Sequence, residues 1–218
     1  MRLFKQQRKI SFNWKYILGE VLLLFFGITL AIWFNNWNAA TKSRKDQAVA
    51  IQRIEEEIRD NLKQLTDARA ENKAILLALQ DYFGKPDGLV LLPAQLNKLQ
   101  RKHANFVLVT DSAAAGGGKY RYTVEANLSL ELPELTRIAW ETTQTIGIAK
   151  EFNYDCLYQI EKTYNLQRLF QREIDKVVDA LQRKEMNELT IVLSFSEQFG
   201  RSLEEYYQKA LEKMENCR

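Results

Sequence analysis

Residues 16–38, YILGEVLLLFFGITLAIWFNNWN, constrain this chain more than any other stretch. From Ile17 to Phe34 the run carries a single charge, Glu20. As a helix rising about 1.5 Å per residue it spans roughly 27 Å, close to the hydrocarbon thickness of a bilayer. VLLLFFGITLAIWF is apolar on every side, so a half-buried soluble helix does not fit it. Trp14 and Tyr16 stand at one end and Trp33 and Trp37 at the other. Aromatic rings favour the two membrane interfaces, so these four read as interface anchors. The expectation is a transmembrane helix over 16–38, with the lipid bilayer as its first partner.

A cleaved signal peptide needs a shorter apolar core and small residues at positions −3 and −1 of a cut site. NNWNAATKS follows the span, and a cut before Thr41 puts Asn38 at −3. An uncleaved anchor is therefore expected. Arg2, Lys5, Arg8, Lys9 and Lys15 precede the span, against Lys42, Arg44, Lys45 and Arg53 after it. This slight bias places the basic tail 1–15 in the cytoplasm and the rest of the chain in the periplasm. Phe4, Ile10 and Phe12 in that tail can dip into the anionic inner leaflet, although a plain topology signal is the simpler reading.

Tyr16, Gly19, Glu20, Gly27, Ile28, Ala31, Asn35, Asn36, Trp37 and Asn38 form a pattern: a Tyr-x-x-Gly-Glu start, an apolar run with Gly-Ile, and a closing Asn-Asn-Trp-Asn. The pattern resembles the N-terminus of a bacterial family of uncharacterised, N-terminally anchored single-pass membrane proteins. The resemblance covers about residues 14–40 and fades by about residue 65. It implies the inner membrane of a Gram-negative bacterium, and it implies no activity and no catalytic residues.

Within the span, Glu20, Gly27 and Ala31 share one helical face, because seven and eleven positions are close to two and three whole turns. Gly27 and Ala31 make a small-xxx-small pair that lets helices approach closely. Glu20 lies about 9 Å along the axis from Trp14, near the inner interface and not at the midplane. That shallow depth favours an interfacial or helix-pairing role over a proton or ion site. The three residues are the candidate helix-pairing stripe.

Beyond the anchor the chain reads as mainly α. Charged residues are 27% and hydrophobic ones 46% of 218 residues, with only 3 prolines and 9 glycines. This suits a core-bearing helical body. Ile51, Ile54, Ile58, Leu62, Leu65, Ala68, Ile75, Leu79 and Tyr82 step by threes and fours along residues 39–83. Asn61 and Asn72 interrupt that seam, where a buried asparagine can fix register. GKPDG, residues 84–88, ends the helix. The segment 84–132 reads as an insertion: a short helix after Pro93, a hairpin pairing 105–110 with 119–126, and a flexible SAAAGGG loop between them. Tyr120, Tyr122, Val124, Ala126, Leu128, Leu130 and Leu132 alternate with polar residues as a one-sided strand does. Pro133 and Glu134 suit a helix start. Helices at 133–147, 151–184 and 188–214 then join 42–83 in a long-helix antiparallel bundle.

Chemistry-bearing motifs are few. His103 is the only histidine, has no Glu three residues before it, and reads as a lone surface residue. Glu55, Glu56 and Glu57 read as a solvated charged face. GGGKY lacks the hydroxyl of a phosphate loop, and no nucleophile elbow occurs. Cys156 and Cys217 allow one disulfide, but Cys217 is penultimate, where chains fray, so unpaired thiols are expected. Trp140 reads as a core anchor, and the tyrosines and phenylalanines of the C-terminal helices read as core. The net charge of +3 comes from interspersed 31 basic and 28 acidic residues, which gives no nucleic-acid surface.

No catalytic residue, cofactor site or metal site is expected. The reading is a non-enzymatic scaffold or partner-binding module that works as a homo-oligomer or with another membrane protein, through its span and long helix. Two rivals remain open. One is a ligand-sensing relay, which needs a partner because a 13–15-residue tail is too short for an output domain. The other is a membrane-active effector that oligomerises through the span, whose toxicity replacement of Glu20 or Gly27 abolishes.

Overall fold

The computed structural model describes residues 14–85, 87–214 and 217. The basic tail lies outside them, apart from its last residues, Trp14 and Lys15. Helix α1 runs Trp14–Phe83. The chain divides into two compact units, Met1–Asp46 and Gln47–Arg218, and each is described by itself.

The first unit is the N-terminal part of α1. Its side chains from Trp14 to Trp37 are almost all exposed, including Leu22, Leu24, Phe26, Ile28 and Phe34. Thr29 and Thr41 turn their hydroxyls back onto the carbonyls of Phe25 and Trp37, at 2.7 and 2.8 Å. Each hydroxyl is thus satisfied within the helix, which an apolar surrounding requires.

The second unit is mainly α with a small β insertion. In it, α1 buries Ile51, Ile54, Ile58, Leu65, Leu79 and Tyr82. The helix stops at Gly84, whose amide donates to the Gln80 carbonyl at 3.1 Å. A Cβ there would sit 2.5 Å from the Gln80 oxygen, so this tight end needs glycine. Strand β1 (Leu89–Leu91) and helix α2 (Pro93–Lys102) follow. Pro93 takes the first helical position, where no amide is needed, and Gln95 Oε1 accepts from the Leu92 amide at 3.0 Å.

Strands β2 (Val107–Gly116) and β3 (Lys119–Ala126) make the expected hairpin, but a longer one. Ser112–Gly116, read from sequence as flexible loop, is paired strand, and the turn is Gly117–Gly118 at positive φ. β1 adds the third strand, giving an antiparallel sheet ordered β1-β3-β2. Val107, Val109, Tyr122 and Val124 pack inward on a cluster built around Leu79, Tyr82, Leu89, Phe106, Val177 and Leu189.

Helix α3 covers Ile138–Thr145, not 133–147. Residues 127–137 form neither helix nor strand, and Pro133 starts no helix. Gly147, at φ 77, turns the chain into a short 3-10 turn, Ile148–Glu151. Helix α4 (Tyr154–Arg183) is capped by Asn153, whose side chain accepts from the Cys156 amide at 2.8 Å. Helix α5 (Met186–Met214) returns beside it. The joint is a Schellman turn: the Lys184 amide donates to Leu181 and the Glu185 amide to Ala180, each at 3.1 Å.

The two cysteines are bonded to each other, contrary to expectation. Cys156 at the start of α4 and Cys217 after α5 have Cα atoms 5.6 Å apart and are both buried. The last turn of α5 packs Ala210 and Met214 into the cluster holding Ile51 and Phe152, so this chain end is held in the core.

Candidate functional site

In the first unit, Glu20, Gly27 and Ala31 stay on one face of α1, and all three are exposed. Nothing lies within 4 Å of where a Cβ at Gly27 would be. Trp33 and Trp37 stack with ring centroids 6.5 Å apart and planes 10° apart, and Trp14 is exposed at the other end. The Tyr16 side chain lies outside the described residues. This helix, near the N-terminus, is long and apolar enough to cross a membrane, and none of its apolar window is buried.

In the second unit the polar residues gather inside. Glu57, read from sequence as solvated, is buried on α1. It accepts from the Tyr164 hydroxyl at 2.5 Å, the Ala139 amide at 2.9 Å and the Thr136 hydroxyl at 3.2 Å. Three donors compensate the desolvation of a carboxylate that would otherwise be costly to bury. One turn on, Asn61 exchanges two hydrogen bonds with the backbone of Thr136. Gln167 donates to the same carbonyl at 2.9 Å and accepts from the Tyr207 hydroxyl at 2.9 Å. Burial, reinforced by the Glu57 charge, raises the phenols of Tyr164 and Tyr207 well above the ordinary tyrosine range. Trp140 stacks on Tyr164 at 6.1 Å, with planes 7° apart, as the core anchor expected of it.

Every polar side chain of this cluster has a partner, and Gln167 also reaches the inner edge of a surface groove of about 270 Å³. The cleft above it, by Asn72, Pro133 and Glu197, holds about 30 Å³, roughly one water. The cluster's hydrogen bonds tie Thr136 and Ala139 to α1 and α4.

His103 is not a surface residue. Its side chain is 9% exposed, and Nε2 lies 2.7 Å from Asp81 Oδ2, which also accepts from Lys102 at 2.7 Å. Hydrogen bonds from Lys102 and then His103 hold the Asp81 carboxyl below its usual range. The neighbouring Tyr82 hydroxyl is buried without a partner, and burial raises its pKa. Among the described residues, no three His, Cys, Asp or Glu side chains gather as metal ligands.

No known protein family, curated protein or solved structure matches this chain. Its own geometry is therefore what speaks to function.

Sequence reasoning missed the polar cluster because Glu57 belongs to the charge-rich run IEEEIRD. The available signal was phase: Glu57 stands one position before Ile58 and three after Ile54, on the edge of the apolar face. Sequence reasoning also misplaced some aromatic residues. Tyr154, Tyr158 and Phe195 are more than half exposed, whereas Tyr164, Phe170 and Tyr207 are core.

Proposed function

We propose that this chain is a single-pass inner-membrane protein. In this reading α1 spans the bilayer by its N-terminal part, and the domain from Gln47 onward lies on the periplasmic side. It binds a partner there and catalyses no reaction. The observation that carries this reading is the buried Cys156–Cys217 disulfide in a chain that also holds a membrane-competent helix. Disulfides persist in the periplasm and are rare in the reducing cytoplasm. The lysines and arginines before the span and the likeness of Gly19-Glu20…Asn35-Asn36-Trp37-Asn38 to the anchored bacterial family support the same placement. The Glu57–Asn61–Gln167 cluster supports a binding role over catalysis, because its polar side chains are all engaged with one another or with the backbone.

The test is a pair of C-terminal fusions expressed in a Gram-negative host. An alkaline phosphatase fusion should be active and a green fluorescent protein fusion dark. The opposite pattern would place the domain in the cytoplasm and overturn the reading.

A further inference from the structure

The segment before α3 and the outer face of α4 enclose a surface groove of about 270 Å³. That is room for roughly nine waters. Three arginines line it: Arg137 from the segment, and Arg168 and Arg172 from α4. Leu135 supplies an apolar wall, and Gln171 and Asp175 complete the α4 side. Gln167 at its inner edge is already engaged by Thr136 and Tyr207.

Among the described residues, Arg101 and Arg121 form no ion pair, whereas five other arginines of the domain outside the groove do. Arg53, Arg59, Arg69, Arg183 and Arg201 each pair with a glutamate. Arg137 pairs with Glu141 at 2.7 Å. Among the described residues, Arg168 and Arg172 form no ion pair, and Arg168 is held only by the neutral Asn165 side chain, at 2.6 Å. They stand one turn apart on the same helix, where like charges repel by about 0.2–0.5 kcal/mol. Asp175 lies one turn beyond Arg172 without pairing to it. Counting Asp175 and Glu141 against the three guanidiniums leaves one net positive charge at the groove.

We infer that this groove binds a phosphate-bearing anion, with Arg168 and Arg172 as its principal ligands and Arg137 closing on it from the facing segment. Guanidinium forks match phosphate oxygens two at a time. Cα atoms four apart on a helix are about 6 Å apart along the axis, so two forks reach different oxygens of one group. A third fork from the opposite wall suits a tetrahedral oxyanion better than a planar carboxylate, which offers only two oxygens. The apolar Leu135 wall lowers local screening and strengthens each contact. The phosphate comes either from a soluble compound or from a lipid headgroup. The inference concerns the domain alone and holds on either side of the membrane.

The full chain in a non-ionic detergent is titrated by calorimetry with inorganic pyrophosphate and, separately, with dihexanoyl phosphatidic acid. Arg168→Gln/Arg172→Gln is compared with wild type and with Arg121→Gln, a control on β3. Far-UV circular dichroism verifies the fold of each variant. Binding of either probe that weakens tenfold or more in the double variant and is unchanged in Arg121→Gln supports the site. Pyrophosphate binding identifies a soluble anion, and binding of the lipid alone identifies a headgroup. No binding of either probe, or binding that the double variant retains, overturns it.

Discussion

Asn61 and Thr136 meet as two amides meet in a sheet. Asn61 Nδ2 donates to the Thr136 carbonyl at 2.7 Å, and the Thr136 amide donates back to Asn61 Oδ1 at 2.9 Å. Asn72 repeats the exchange with the backbone of Glu131, at 2.6 and 2.9 Å. Gln64 accepts from the Glu134 amide between them, at 3.1 Å. Eleven helical residues rise about 16.5 Å, and five extended residues span about the same. The spacing of Asn61 and Asn72 thus matches the spacing of Thr136 and Glu131, and the helix side chains act as the missing neighbouring strand for an antiparallel segment.

Asn61→Ala removes this clasp at its most buried point and leaves the Thr136 amide without a partner. An unsatisfied buried donor costs about 1–3 kcal/mol, and the lost side-chain volume adds to it. A total near 2–3 kcal/mol lowers the melting temperature by roughly 4–12 °C for a chain of this size. Thermal melts of the full chain in detergent, followed by circular dichroism at 222 nm, measure it. Asn72→Ala, at the exposed end of the ladder, should cost less than half as much. Equal costs for the two variants would remove the argument from burial.

The same ladder shows where sequence reading stops. The alternation read from Tyr120 to Leu132 holds for β3, which ends at Ala126, and for Leu128 and Leu130, which pack inward beyond it, but Leu132 is exposed. Alternation reports side-chain facing and not the hydrogen-bond partner, so it cannot separate a strand from a segment clasped by helix amides. The asparagines at 61 and 72 were legible as register devices, but not as devices for a segment 59 or 75 residues away. The long helices α1, α4 and α5 were legible because their 3–4 spacing is local, whereas the start of the short α3 was not. The third strand was not, because three residues, Leu89–Leu91, carry too little pattern. The apolar span was the plainest feature of all. The disulfide was hidden because the docking of the α5 end depends on tertiary packing.

Tyr164 and Tyr207 set a limit on alkaline stability. Both phenols are raised above their ordinary value of 10.0, first by burial and then by the Glu57 charge. Below that pH both states keep the proton, and stability does not depend on these groups. Above it the unfolded chain releases protons that the folded chain retains, so stability falls as pH rises, by about 1.4 kcal/mol per unit for each group. The fall continues until the folded phenols themselves ionise. Urea midpoints of the full chain at pH 9, 10 and 11 should drop more steeply in wild type than in Tyr207→Phe. Parallel slopes would mean that the hydroxyl is not held protonated by the fold.

Cys156→Ser removes a cross-link that closes a 61-residue separation. The loop-closure relation assigns about 4 kcal/mol to a loop of this length, and measured values cluster near 2–4. The variant should melt well below the oxidised wild type and close to wild type reduced with excess dithiothreitol. Reduction should leave the Cys156→Ser melt unchanged. A melt of the variant that matches oxidised wild type would show that packing of Ala210 and Met214 alone holds the end of α5.

The stripe of Glu20, Gly27 and Ala31 makes a prediction about association. The position of a Cβ at Gly27 meets no atom within 4 Å, and neither does that at Gly19, so both tolerate a larger side chain without strain inside α1. Gly19 lies about 100° around the helix from Glu20, off the stripe. If two copies pair through the stripe, Gly27→Leu separates their backbones and removes the close packing on which such pairs depend. A loss of about 1–2 kcal/mol lowers the pairing constant roughly fivefold to thirtyfold. Crosslinking in native membranes should therefore trap far less dimer for Gly27→Leu than for wild type, and Gly19→Leu should behave as wild type. Glu20→Gln should retain pairing if the side chain acts as a hydrogen-bonding interfacial group, since the amide still bonds, whereas Glu20→Leu should not. Equal crosslinking in all five proteins would assign the stripe to lipid contact and move any self-association to the domain.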